Sequence, residues 1–367
     1  MNKKTKYILI AAIIIIVGLC VWFLGNIIAY ILIALVLSLV LQPVTNLMSK
    51  IKIGRFIFPK ILSAIITLSV FWFVVILIFR LMVPFIAAEA NEISSVNPAK
   101  IVNSLNQPVQ KISGILSNLN IYTGKENNLT EIMVNKVMGI VNFSDLSLLF
   151  SSLINTLGSL LIAFFAITFI TFFFLKDDRL FIKIFIAFAS VEYETAVKHA
   201  VLSIKKLLMR YFIGIIFDML IIFVLTTIGM TILGLGFQHA SVLGLIGGLF
   251  NIIPYVGPII SVLFGMLIGI LTNTDANFYF EVLPLLCWML FVYVIINILD
   301  ATFVQPFIFS GSVKAHPLEI FLVILSAGTL AGVTGMILAI PSYTVLRVIA
   351  KEFFYNFKIV KKLTKNI

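Results

Sequence analysis

Residues 240–271 read ASVLGLIGGLFNIIPYVGPIISVLFGMLIGIL, and no other stretch says as much about the architecture. Two apolar pieces, 240–251 and 258–271, flank the segment IIPYVG. Two prolines and a glycine close together interrupt a helix, because proline lacks the backbone donor and glycine favours open conformations. Each piece is shorter than the ~20 residues that a helix needs to cross a bilayer. The stretch therefore predicts a helical hairpin, at about 240–272, that dips into a membrane and returns.

The chain as a whole is too apolar for a water-soluble fold. Of its 367 residues, 61% are hydrophobic and 11% are charged, whereas an ordinary soluble domain has about 25% charged residues. The apolar residues fall in helix-length blocks rather than in the ~10-residue alternating segments of a membrane β-barrel. We therefore predict an all-α, polytopic integral membrane protein with about six full transmembrane helices and two hairpins.

The apolar blocks give the positions of these helices. The basic N-terminus runs into an apolar segment with no signal-peptide cleavage site, which predicts a retained first span. Glycines and Pro341 interrupt the last block, at 318–350, and predict the second hairpin. The predicted full spans are 7–24, 26–41, 61–83 (closed by Pro84), 146–175, 211–233 and 282–307.

Polarity divides the chain into three predicted parts. Residues 1–85 are N-terminal transmembrane helices, and 86–143 form a small helical insert outside the membrane or on its surface. Residues 144–367 form a transmembrane transport core that begins at Ser144, a helix N-cap residue. Within it, 191–210 has the spacing of an amphipathic helix, which we predict to lie on the cytoplasmic side.

The basic residues orient the chain. With the N-terminus inside, the loops at 50–60, 176–210 and 311–317 and the C-terminal tail also lie inside. Together with the N-terminus and Arg347 at the end of the last apolar block, these segments hold all but five of the 26 lysines and arginines, the exceptions being Arg80, Lys100, Lys111, Lys125 and Lys136. By the positive-inside rule, this bias predicts an N-in, C-in, multi-pass protein of the bacterial inner (cytoplasmic) membrane.

Several function classes find no support in the sequence. The net charge of +11 comes from short clusters between apolar blocks, which is not the pattern of a nucleic-acid partner. Cys20 and Cys287 lie inside apolar blocks and predict neither a disulfide nor a metal site. There is no phosphate-binding glycine loop and no catalytic triad, so we predict no enzyme activity and no cofactor.

Acidic residues at membrane depth are the first functional candidates. Asp218 and Asp300 lie inside predicted spans, where a charge is costly and usually faces the bundle interior or water. We predict both as ion-coupling candidates; the alternative is a helix-end acid that is capped or paired with a basic residue. His199 and His239 are isolated, and the sequence assigns them no role.

Breaks in the apolar helices indicate a transport path. Backbone groups that a break leaves unpaired are tolerated in a membrane only where protein or water covers them. His316 has a side chain that can titrate near neutral pH, although a solvated loop histidine is the simpler interpretation. The transport-path candidates are Asn251, Pro254, Tyr255, Gly257, Pro258, Asp300, Gln305, Pro306, His316, Pro317, Gly332 and Pro341.

Three motifs resemble those of the autoinducer-2 exporter family. NIIPYVGP at 251–258 is similar to the N-x-I-P-Y-V-G-P element of that family, and FFFLKDDR at 172–179 to its F-F-x-L-K-D element. The segment 300–347 resembles its C-terminal block. Two departures remove a polar group: Ala301 follows Asp300 where the family usually has Asn, and Ile215 follows Gly214 where it often has Gln.

The resemblance implies a secondary permease. Some family members are linked to export of autoinducer-2 and others to Na⁺(Li⁺)/H⁺ antiport, so the implied partners are a small solute or a monovalent cation, besides the lipid bilayer. It also implies a homo-oligomer, with a pentamer as one candidate. Our leading hypothesis is a secondary transporter of a small solute. The alternatives are a cation/proton antiporter and a structural membrane protein that transports nothing.

Overall fold

The computed structural model describes residues 24–53, 56–95, 157–177, 179–187, 189–273, 276–306 and 316–354. The predicted first span, most of the predicted insert and the predicted cap at Ser144 lie outside these residues. In chain order the helices are α1 (Gly25–Met48), α2 (Lys60–Ser95), α3 (Leu157–Lys176), α4 (Leu180–Ala187), α5 (Glu194–Ile232), α6 (Phe237–Phe250), α7 (Val256–Leu271), α8 (Leu283–Leu299) and α9 (Pro317–Phe354).

Short irregular segments complete the described chain. A 3₁₀ turn, Val191–Tyr193, precedes α5, and two five-residue π-helical segments, Phe278–Val282 and Asp300–Val304, flank α8. In the basic loop, the two-residue strands β1 (Lys52–Ile53) and β2 (Phe56–Ile57) pair antiparallel, with Lys52 opposite Ile57.

The prediction of an all-α, polytopic membrane protein is confirmed. Five helices among the described residues are long and apolar enough to cross a membrane. Their outer surfaces carry large apolar side chains, such as Phe73 and Phe217, which are 67% and 60% exposed. Such side chains would be costly in water and are stable against lipid tails.

Helices α1, α2 and α3 form one bundle around Leu41, Ala64, Leu68 and Leu175, which are all buried. The predicted end of a span at Pro84 is wrong, because α2 continues through this proline to Ser95. A proline removes one hydrogen bond from a helix, and membrane helices tolerate this loss where neighbouring groups compensate. The first residues of the predicted insert therefore extend a transmembrane helix.

Helix α5 joins two elements that the sequence separates. The amphipathic helix predicted at 191–210 and the span predicted at 211–233 form one continuous helix, because no proline or glycine interrupts the chain between them. A tight turn with Gly234 and Gly236 at positive φ then reverses the chain into α6. A side chain at Gly248 would collide with the backbone of Met219, so glycine permits the close approach of α6 to α5.

Both predicted hairpins are present. Helices α6 and α7 run antiparallel, with Ala240 near the start of the first and Ile268 near the end of the second in one buried cluster. In α9 the chain folds back at Gly332, which has φ 60°. The Tyr343 hydroxyl donates a hydrogen bond to Glu319 Oε2 over 3.0 Å, a contact that a straight helix could not make across 24 residues.

The two hairpins meet inside the protein. Ile253, at the turn between α6 and α7, packs against Ile324 and Ile340 from the two arms of α9 and against Tyr211 of α5. The Tyr255 ring also lies edge-on to Phe321, with centroids 5.7 Å apart. The turn of the first hairpin therefore packs against the arms of the second, at least eight residues from the break at Gly332, and α5 contacts both.

The first aspartate of the LKDDR motif, Asp177, stabilises the turn between α3 and α4. Its carboxylate accepts hydrogen bonds from the Arg179 backbone amide and from Lys183 Nζ, both at 3.0 Å. The hydrogen bond from Lys183 holds the pKa of Asp177 below its ordinary value. The motif therefore ends α3 and starts α4.

Candidate functional site

Asp218 and Asp300 lie together in the protein interior. Asp218 is in the middle of α5, Asp300 follows the last residue of α8, and they are 2% and 1% exposed. Helix α5 packs against the π segment that begins at Asp300, which brings the two carboxyl groups close enough to interact electrostatically. We call them the acid pair. The sequence named both residues without indicating that they touch.

Two amides hold the acid pair in place. Asn251 Nδ2 donates to Asp218 Oδ2, and Gln305 Nε2 donates to Asp300 Oδ2, each over 2.8 Å. In both acids Oδ1 is buried and receives no hydrogen bond from any other described donor. The amides thus fix one oxygen of each carboxyl group, and the other oxygen remains for a proton or a cation.

Local backbone breaks place these groups. Asn251 caps the end of α6, three residues before Pro254, and reaches α5 from the hairpin turn. Tyr255 has φ 69°, which is unusual for a residue with a bulky side chain and fixes the turn. Asp300 begins a π-helical segment, and the wider turn puts Gln305 over its carboxyl group. Such π segments often occur at functional sites.

No basic side chain among the described residues offsets the charge of the acid pair. Among the residues that the structure describes, neither carboxyl group forms an ion pair with a lysine or arginine. Two carboxylates in contact at low dielectric cannot both be ionised without a cation. A proton or a bound cation between the two groups would relieve this repulsion. The described chain has no cluster of three or more residues typical of a transition-metal site.

The structure groups only some of the predicted path residues. Asn251, Asp300 and Gln305 join Asp218 in the site. Pro254, Tyr255, Gly257 and Pro258 form the α6–α7 turn beside it, and Gly332 forms the turn of α9. Pro306 follows Gln305 on the exposed side.

Three further candidates lie elsewhere. His316 is exposed and caps α9, with its Nδ1 accepting from the Leu318 amide over 3.2 Å, and Pro317 is the first residue of that helix. Pro341 lines a cavity of about 640 Å³ between α1, α5 and the second arm of α9, whose walls are almost entirely apolar. None of these three is described in contact with the acid pair.

The sequence missed a second buried polar contact. His239, which had no predicted role, lies 2.6 Å from Glu89, between Nδ1 and Oε2, and joins α2 to the first turn of α6. The Glu89 side chain is 4% exposed and that of His239 is 21% exposed. The residues are 150 positions apart and no local pattern connects them. The contact depends on the continuation of α2 past Pro84.

The variant His239→Ala should lower the free energy of unfolding by about 2–3 kcal/mol, because Glu89 would stay buried without this partner. Chemical denaturation of the purified protein in detergent measures the loss. Adding Glu89→Gln to this variant should recover part of it. Lys183→Ala, which breaks an exposed ion pair, is the control and should leave the unfolding midpoint unchanged. Equal losses in the two single variants would contradict this account.

Comparisons with known proteins agree with this architecture. A family model described as "AI-2E family transporter" matches residues 11–354. The chain is 27% identical over 348 residues to "Putative transport protein YueF" of Bacillus subtilis (strain 168), covering 91% of this chain and 85% of that protein. It is 32% identical over 203 residues to "Putative transport protein YrrI" of the same strain, covering 55% and 54%.

Proposed function

The chain belongs to the AI-2E transporter family, and from this premise we propose that it is a secondary transporter of a small solute, coupled through the acid pair. The observation that carries the proposal is the buried contact between Asp218 and Asp300, fixed by two amides and without a basic partner among the described residues. A protein with only a structural role has no need of so costly an arrangement.

The position of the acid pair supports a role in transport. Asp218 is bound to the turn of the α6–α7 hairpin through Asn251, and the same turn packs on the α9 hairpin. A change in the charge of the pair would therefore act directly on the contact between the two hairpins. We propose that loss or gain of the shared proton changes which hairpin is free to open.

A Na⁺(Li⁺)/H⁺ antiporter is the second candidate function. Four side chains meet at the site, and each carries an oxygen that a small hard cation can use. Exchange of the shared proton for Na⁺ or Li⁺ would keep the acid pair neutralised. In this case the cation is itself the substrate, and no organic solute is needed.

Ion flux in proteoliposomes tests both candidates. Purified protein is reconstituted with a fluorescent pH reporter, a pH gradient is imposed, and Na⁺, Li⁺ or K⁺ is added. Collapse of the gradient by Na⁺ or Li⁺ is the expected result for an antiporter. Asp218→Asn should remove this response, whereas Glu194→Gln, at the exposed start of the same helix, should retain it.

If none of the three cations collapses the pH gradient, the antiporter function is excluded. An organic solute would then remain, and extracellular accumulation of autoinducer-2 by cells that express the chain would be the next assay. If Asp218→Asn transports cations and solute at the wild-type rate, the acid pair has no role in coupling.

We further propose that the chain has no enzyme activity, resides in the bacterial inner membrane with both termini in the cytoplasm, and forms a homo-oligomer, with a pentamer as one candidate. The distribution of lysine and arginine supports the orientation. The turn of the α9 hairpin exposes large apolar side chains, such as Leu330 (87%) and Val333 (62%), and this supports a contact with another subunit. Native mass spectrometry in detergent would measure the subunit number.

A further inference from the structure

Three buried hydroxyl groups lie on one side of the acid pair. They belong to Thr226 of α5, Ser261 of α7 and Tyr293 of α8, which are 1%, 5% and 2% exposed. Thr226 is eight residues from Asp218 along α5, and Tyr293 is seven residues from Asp300 along α8, which is roughly 10–12 Å of helix in each case. We call these residues the hydroxyl layer.

The side chains of the hydroxyl layer pack against two glycines. A Cβ atom at Gly247 would lie 3.6 Å from Thr226 Oγ1 and 3.7 Å from Ser261 Oγ, so both hydroxyl groups converge on this glycine. A Cβ atom at Gly265 would lie 2.5 Å from the Tyr293 hydroxyl oxygen. Gly265 is one helical turn from Ser261 and on the same face of α7. The three hydroxyls therefore follow one another through the interior.

Two of the three hydroxyl groups have no hydrogen-bond partner among the described residues. Thr226 Oγ1 and Tyr293 Oη are buried and form no hydrogen bond with any described residue. Ser261 Oγ donates to the Gly257 carbonyl over 2.9 Å, which leaves it as an acceptor. Buried polar groups in native proteins are nearly always paired, and an ordered water commonly supplies the missing partner.

Resting on the proposed function, we propose that the hydroxyl layer holds water molecules that relay protons between the acid pair and the side of the protein where α5 ends and α6 begins. At each step a hydroxyl oxygen accepts a proton from one water and releases its own proton to the next water. No residue of the layer changes its net protonation. The relay ends when a carboxylate of the acid pair accepts the proton.

The surroundings of the layer show where the relay is closed. Beyond it, towards the end of α5 and the start of α6, a buried apolar cluster includes Met230, Ala240, Leu243 and Met289. Water does not cross such a cluster readily, so the relay is shut on that side in this conformation. The α6–α7 hairpin contributes both to the cluster and to the turn at the acid pair, and its movement would open the relay.

The double variant Thr226→Val with Tyr293→Phe tests this proposal, because both replacements keep the shape and remove the hydroxyl groups. We expect proton flux to fall at least tenfold in proteoliposomes, with the half-saturating cation concentration unchanged. The thermal unfolding midpoint should stay equal or fall, since water and its hydrogen bonds are lost. The matched control is Thr231→Val with Tyr193→Phe, on an exposed stretch of α5 and the turn before it.

Unchanged proton flux in the double variant would overturn the relay. A higher unfolding midpoint would also overturn it, because removing a dry, unpaired hydroxyl group stabilises a protein. If the wild type carries no proton flux at all, the proposed coupling fails instead. The unfolding midpoint then decides separately whether the hydroxyl layer binds water.

Discussion

Asp300→Asn should lower coupled flux about 100-fold, which corresponds to about 2.7 kcal/mol in the activation barrier. The amide cannot release or accept the proton that the acid pair shares. It can still accept a hydrogen bond from Gln305, so the protein should fold normally. Because the variant also removes one of two buried acidic groups, its unfolding midpoint should equal or exceed that of the wild type. Flux in proteoliposomes and thermal unfolding in detergent measure the two effects.

Asp300→Glu is the matched control for this experiment. It retains the titratable group but moves it by one methylene, and we expect it to keep a measurable part of the flux. Wild-type flux in Asp300→Asn would exclude Asp300 from coupling. Loss of flux together with a much lower unfolding midpoint would instead assign Asp300 a structural role.

Gly257→Ala should disrupt the α6–α7 hairpin, the second large effect. A Cβ atom at this position would overlap the carbonyl oxygen of Phe250 and lie 2.8 Å from Asn251 Cα. Both are backbone atoms at the turn, so they cannot move without displacing Asn251 from Asp218. We expect a loss of about 3 kcal/mol in the free energy of unfolding and at least a tenfold loss of flux.

Gly25→Ala provides the control for this substitution. No heavy atom lies within 4 Å of a Cβ placed at Gly25, the first residue of α1. Alanine is also the better helix former, so this variant should be neutral or slightly more stable. Similar denaturation curves for the two variants would show that Gly257 is not needed for close packing.

The two effects test different parts of one site. Asp300→Asn changes the charge that the site can carry and leaves its walls in place. Gly257→Ala leaves both carboxyl groups and moves the hairpin that positions one of them. If both variants lose flux but only Gly257→Ala loses stability, the acid pair acts in coupling and the hairpin turn acts in positioning.

Local physics explains what the amino-acid sequence by itself determined. The length and apolarity of the blocks required membrane helices, and the clustered prolines and glycines required the two hairpins. The cost of a charge at membrane depth was enough to single out Asp218 and Asp300. The sequence also predicted two helix ends that do not occur: α2 continues through Pro84, and α5 continues through the boundary predicted near Tyr211.

Only the tertiary structure decided which of these groups meet. Hydropathy says that a residue lies in a membrane helix, but it does not give the rotation of that helix or its neighbours. Different helices are joined by the contact of Asp218 with Asp300, by the bond from Asn251 to Asp218, and by the pairing of Glu89 with His239. These contacts exist because glycines let α6 approach α5 and because the π segment at Asp300 turns its side chain inward, and both effects depend on packing between helices.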